Sequence, residues 1–201
     1  MIIFIDGPSG SGKTTIAKHL GKTLNLPVVH MDEFYPGWSG LAAGATIIAH
    51  DVLHATNPGY HRWDWKHNQA GDWVTLPKGG KIIEGVGAVT SDTVQAALRI
   101  EKHVLVIILS ADAAVRRTRA LRRDPSYEPY WHMWAAQEQV HFATLATLPT
   151  DAVPWTRIDG SGMHIQQVCT QLEAWIAAQT PTPNAPQDVP KTQEKLVESD
   201  T

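Results

Sequence analysis

The chain opens on an unbroken apolar run, Ile2–Ile5, which Asp6 and Gly7 bring to an end. A run this short, bounded by a turn signal, predicts a buried strand, and a Gly/Ser-rich segment then leads into a helical stretch over Thr15–Leu24. Val28–Met31 predicts a second strand, Lys81–Glu84 a third, and His103–Leu109 a fourth made almost wholly of Val, Ile and Leu; a fifth ends at Thr156–Asp159. Helices are predicted between them. One is alanine-rich, about Leu41–Ala55, and is stopped by Asn57-Pro58-Gly59; another covers Asp92–Glu101 with Ser91 as its N-cap. Ala113–Asp124, Trp131–Leu148 and Gly162–Gln179 complete the set. Short apolar strands that alternate with helices, without polar interruption in the fourth, predict an α/β fold with a five-stranded parallel sheet covered on both faces. One segment falls outside the scheme: Tyr60–Trp73 reads as a polar connection, yet it carries Trp63, Trp65 and Trp73. From Thr180 the pattern stops. The proline-rich, aromatic-free stretch 180–201 predicts a disordered tail behind a single domain over residues 1–179.

Composition narrows the class of protein. At 201 residues, 43% hydrophobic and 18% charged, the chain predicts a soluble globule large enough for a sizeable core. A formal charge of −3 offers no general attraction to nucleic acid or anionic membrane. No segment approaches the roughly 18 apolar residues of a membrane span. The apolar start lacks the basic flank of a signal peptide, so a cytoplasmic location is the expectation. The lone Cys169 can form no intrachain disulfide, and the ten histidines are scattered without metal-ligand spacing. The oligomeric state is left open.

The chemistry starts at Gly7-Pro8-Ser9-Gly10-Ser11-Gly12-Lys13-Thr14, a complete G-x-x-x-x-G-K-[ST] match set between a predicted strand and a predicted helix, with Thr15 following. Glycines allow successive backbone N–H groups to turn inward around phosphate, and the helix adds its positive end. Lys13 can then reach the β- and γ-phosphates of ATP, and the Thr14 hydroxyl can take a place on Mg²⁺. Asp32 leaves the second strand on the same rim, because ligands of open α/β sheets bind outside the carboxyl ends of the strands. The tryptophan-rich segment, with Tyr60, His61, Arg62 and Asp64, offers aromatic faces and a few polar groups suited to a heterocycle or sugar. Arg116, Arg117, Arg119, Arg122 and Arg123 crowd one short helix. A phosphate donor needs such mobile positive charge as its γ-phosphoryl group transfers.

Asp32-Glu33-Phe34-Tyr35 resembles the D-x-F-Y segment after the second strand of P-loop nucleoside kinases of the uridine kinase type. The resemblance implies transfer of the γ-phosphoryl group of ATP to a sugar hydroxyl. It gives Asp32 the role of proton acceptor and puts Tyr35 on the acceptor side, with Glu33 at a variable position. It also implies an acceptor-binding role for Tyr60, His61, Arg62 and Asp64, although the family's His-Pro-Asp wording is absent. Glu84-Gly85 matches an E-G pair, which implies that Glu84 holds a magnesium-bound water. Ala111–Asp124 is similar to the arginine-bearing lid of these kinases, placed at about 112–130. Arg119 and Arg123 are then expected on the phosphates, and Arg116 or Arg117 on the acceptor. A nucleoside is the acceptor this implies. A nucleoside monophosphate, a sugar or a coenzyme precursor keeps the same chemistry, and a non-enzymatic ATP-binding regulator is the reading from another class.

Overall fold

Alternation along the strands decides the layering. In β1 (Ile2–Asp6), Ile2 and Phe4 belong to one apolar core while Ile3 and Ile5 belong to the other. The computed structural model describes residues 1–148 and 151–180, so the predicted disordered tail falls, from 181 on, outside the described residues. After β1 come α1 (Lys13–Leu24), β2 (Val28–His30) and a 3₁₀ turn over Met31–Glu33. Next are α2 (Leu41–Ile47), whose last turn widens into a π-helical one over Ile48–Val52, and the strands β3 (Gly59–Asp64) and β4 (Gln69–Thr75). The remainder is β5 (Lys81–Glu84), α3 (Ser91–Ile100), β6 (Val104–Ser110), α4 (Ala113–Arg123), a 3₁₀ segment Pro125–Tyr130, α5 (Trp131–Leu145), β7 (Trp155–Asp159) and α6 (Ile165–Gln179).

Five of these strands form one parallel sheet in the order β2-β5-β1-β6-β7. Even-numbered residues of β1 and β6 pack with α2, α3 and α5, and odd-numbered ones pack with Ile16, Leu20, Leu172 and Ile176 of α1 and α6. Each large apolar side chain buried this way contributes roughly 1.5–3 kcal/mol, so the period-2 register fixes both faces at once. The strand order reverses at β1. The crevice at its carboxyl end is therefore the topological switch point where ligands of such sheets bind. Among the described residues no helix is long and apolar enough to cross a membrane.

The structure differs from the sequence pattern at three places. The helix expected over Leu41–Ala55 is α-helical only to Ile47. The cap of α3 is Thr90 rather than Ser91, because Thr90 accepts from the Thr93 N–H and Thr93 reciprocates in a capping box. The tryptophan-rich connection is an antiparallel ribbon, with β3 and β4 paired to each other and apart from the main sheet. An irregularity between His61 and Trp63 breaks the ribbon's alternation.

Candidate active site

The loop from Gly7 to Thr14 wraps the N-terminus of α1. Gly10 holds φ +78°, and a Cβ there would stand 2.2 Å from the Arg116 carbonyl oxygen, so only glycine fits against α4. Gly12 caps the helix at φ +100°. Lys13 is buried and folds its Nζ back onto the loop, donating to the carbonyls of Gly7 at 2.7 Å and Pro8 at 3.1 Å. The Pro8 carbonyl also accepts from Ser11 N–H. Ser11 Oγ is buried without a partner, an orphan that a bound group at the loop would satisfy. Ser11, Gly12 and Thr15 border a 300 Å³ hollow that reaches Gly160 and Met163 after β7, and a second hollow of 260 Å³ lies over Lys13, Thr14, Arg119 and Arg123.

Facing the loop, Thr14 Oγ1 donates to Glu84 Oε1 at 3.0 Å, and His30 Nδ1 donates to the same oxygen at 2.6 Å. Burial pushes the Glu84 carboxyl up. The His30 hydrogen bond and the Lys13 charge outweigh that and hold it below the ordinary range, while the bond to Glu84 raises His30. Asp32 is open to the water of the cleft yet hemmed in by protein. That crowding, with the nearby Glu84 charge, raises its carboxyl above the ordinary value against the pull of Lys13 and Arg123. A hydroxyl and ionised carboxylate oxygens on one rim suit Mg²⁺, which takes most of its ligands from phosphate and water. Among the described residues no group of three or more His, Cys, Asp or Glu side chains is arranged to hold a metal by itself.

A cleft of about 630 Å³ runs from the loop past Asp32 and Glu84 to an aromatic wall. Trp38 stacks on Tyr130 at 4.3 Å and on Tyr127 at 5.2 Å, both nearly parallel, and Trp65 and Trp134 approach it at 5.0 and 6.2 Å. The Trp65 indole N–H donates to the main-chain carbonyl of Asp32, tying the ribbon to the 3₁₀ turn. Tyr35 presents only its ring to the cleft, because its hydroxyl donates to the Val86 carbonyl at 2.7 Å.

Other residues expected on the acceptor side lie outside the cleft. Tyr60 is buried against Phe34 and donates to Glu33, which, with burial, pushes its phenol up to about 12. Arg62 pairs with the same Glu33 at 2.9 Å, His61 lies against Trp73, and Asp64 caps the turn at His67. Tyr60 and Arg62 tie the ribbon to the 3₁₀ turn through Glu33, while His61 and Asp64 bond within the ribbon and its turn. Arg116 donates to the carbonyls of Ser9 and Ala111, and Arg117 meets Glu128 at 3.4 Å; neither lines the cleft. Arg119 and Arg123 border the hollow over the loop, and Arg123 lines the cleft as well.

The buttress behind the loop is a feature that sequence reasoning passed over. Asp6 is fully buried, and its carboxylate accepts from the N–H groups of Gly7, Gly87 and Val89 and from His141 Nε2 at 2.8 Å. One helical turn earlier on α5, Glu138 accepts from Ser9 N–H at 2.7 Å and stands 3.6 Å from Arg116. Replacing Asp6 by alanine strands four buried donors. The expected cost is about 3–5 kcal/mol, seen as a melting temperature lowered by about 6–20 °C in a thermal unfolding scan at this chain length. A shift below about 3 °C would mean the network is dispensable.

No family model matches the chain. Among curated proteins it is similar to the shikimate kinase of Corynebacterium efficiens, 29% identical over 124 residues that span 62% of this chain and 68% of that protein. It is also similar to the shikimate kinase of Corynebacterium diphtheriae, 32% identical over 117 residues, or 58% of this chain and 62% of that one. Among solved structures, a sugar kinase from Janibacter sp. matches with a TM-score of 0.57 at 18% identity, covering 88% of this chain and 94% of the other, which shows the shared fold. The chain thus shares its α/β fold with that kinase and is similar in sequence to shikimate kinases over 58–62% of its length. Neither curated relative is a uridine kinase, the likeness expected from Asp32–Tyr35.

Proposed function

We propose that this chain is a P-loop kinase and transfers the γ-phosphoryl group of ATP to a hydroxyl of a small acceptor. The observation that supports the proposal is that Asp32 lines the same cleft as Lys13 and Thr14 of the loop. Adenosine fits the hollow between Ser11, Thr15 and Met163, and the phosphates fit the one under Arg119 and Arg123. Thr14 and Glu84 would hold Mg²⁺, which when bound neutralises charge on the β- and γ-phosphates. Lys13, freed from the Gly7 and Pro8 carbonyls, moves its charge onto the γ-phosphoryl oxygens. The bond from γ-phosphorus to the bridging oxygen breaks, a bond to the acceptor oxygen forms, and the hydroxyl proton passes to Asp32. A carboxylate raised above its ordinary value takes that proton more readily. The α4 segment and Pro125–Tyr130 act as a lid, tied to the loop by the hydrogen bond from Tyr127 to Ser9.

A nucleoside is the acceptor implied by the resemblance at Asp32–Tyr35; the curated relatives, both shikimate kinases, favour the alternative of another small metabolite. Incubation with ATP, Mg²⁺ and a library of hydroxyl compounds, read by mass spectrometry, tests the reaction. Failure to phosphorylate any member, with ATP bound but not consumed, would favour a binding protein. The lid carries a separate expectation. Arg123 borders both donor and acceptor space, so Arg123→Ala is expected to lower kcat by about 10²-fold, with ATP affinity changed far less, because the charge it answers develops in the transition state. Unchanged kinetics in both Arg119→Ala and Arg123→Ala would return α4 to a solvated face.

A further inference from the structure

The far end of the cleft is rich in rings and poor in cations. Trp38, Trp65, Trp134, Tyr127 and Tyr130 line it beyond Asp32. Among the described residues, the only Lys or Arg side chains on its lining are Lys13 and Arg123, and both also border the hollow over the phosphate loop. The donor's phosphates claim those two. Of the other cations nearby, Arg62 is engaged by Glu33, Arg117 by Glu128, and Arg116 by the Ser9 and Ala111 carbonyls. Lys66, beside Trp65, and Arg122, beside Arg123, are exposed and do not line the cleft. Among the described residues no histidine lines the cleft, whereas three acidic residues do, Asp32, Glu84 and Asp124. An acceptor carrying its own carboxylate or phosphate would lose hydration among ring faces and gain no positive partner, with like charges nearby. A flat or ring-faced neutral molecule meets the opposite balance, since aromatic walls favour its faces and Asp32 accepts its hydroxyl.

We infer that the acceptor is a ring-bearing hydroxyl compound without a carboxylate or phosphate group. This rests on the phosphotransfer proposal for the site, and it separates the chain from its shikimate kinase relatives by the charge of the molecule phosphorylated. It also makes Trp38 and Tyr130 specificity residues, because their nearly parallel stack forms part of the wall that replaces a cationic subsite.

Matched pairs that differ in one charged group test it: uridine against orotidine, and methyl shikimate against shikimate. Binding is followed by tryptophan fluorescence, at up to millimolar concentration, with Mg²⁺ and a non-hydrolysable ATP analogue present. Phosphorylation of the same compounds is then measured with ATP. The neutral member of at least one pair is expected to bind at least tenfold more tightly than its anionic partner, with the same order in kcat/KM wherever phosphorylation occurs. Tyr130 is partly exposed on the rim, so Tyr130→Arg is expected to shift that preference at least tenfold toward the anion. An anionic member that binds more tightly, equal binding within both pairs, or no response to any of the four overturns the inference. Phosphorylation of shikimate in preference to its ester would do so while leaving phosphotransfer intact. Tight neutral binding without ATP-dependent phosphorylation of any hydroxyl compound would instead overturn the reaction and keep the charge preference.

Discussion

Lys13→Met is expected to leave a folded protein whose ATP-dependent phosphorylation falls by about 10³-fold or more, the upper scale for losing one preorganised charge at a transferring group. The native side chain donates to the Gly7 and Pro8 carbonyls and, among the described residues, forms no ion pair with a carboxylate. Its charge is therefore held by neutral acceptors and available to the γ-phosphoryl oxygens. Methionine keeps the length and the apolar stem and removes only the ammonium. Loss of the two hydrogen bonds costs about 1–3 kcal/mol, so a melting temperature lowered by about 2–12 °C is tolerable. The check is initial rate beside a thermal scan. Phosphorylation within tenfold of the wild type would remove the loop from the reaction.

The parts of this site that the sequence announced are those whose chemistry is local. The loop, α1 and the exit of β2 are contiguous segments, so residue order alone puts Lys13, Thr14 and Asp32 near one rim. The buttress was hidden because its members are far apart in the chain and Asp6 reads as the end of a strand. A signal for it existed in α5. Trp131, Trp134, Glu138, His141 and Leu145 recur at spacings of three and four, so an acid and a histidine sit on the buried stripe of that helix. Charge on an apolar stripe needs a buried partner, and Asp6 and Ser9 supply it. The ribbon was missed for a different reason. The outward residues of β3 and β4 are largely exposed, and the irregularity at His61–Trp63 interrupts the two-residue period that marks a strand. Its tryptophans divide between roles no spacing rule separates: Trp65 reaches the cleft, while Trp73 lies against His61 within the ribbon.

The other large effect belongs to Asp32, and it separates phosphotransfer from simple nucleotide binding. Glu33, the neighbouring acid, is occupied by Tyr60 and Arg62. Asp32 faces the cleft, its main-chain carbonyl fixed by Trp65. Asp32→Asn keeps the size of the side chain and removes its capacity to take a proton. Acceptor phosphorylation is expected to fall by about 10²–10⁴-fold, the scale of a lost general base. ATP affinity is expected to change little, because the nucleotide contacts proposed above are those of Lys13 and the loop. Removing a negative charge near Glu84 also relieves repulsion that raises the Asp32 carboxyl, so the variant is expected to be no less stable than the wild type. Slow hydrolysis of ATP without acceptor is expected to survive, since water needs no hydroxyl-orienting group at that position. The deciding comparison sets acceptor phosphorylation against acceptor-free hydrolysis in the same two proteins. Equal losses in both would assign Asp32 to the donor side, and no loss in either would remove it from the chemistry.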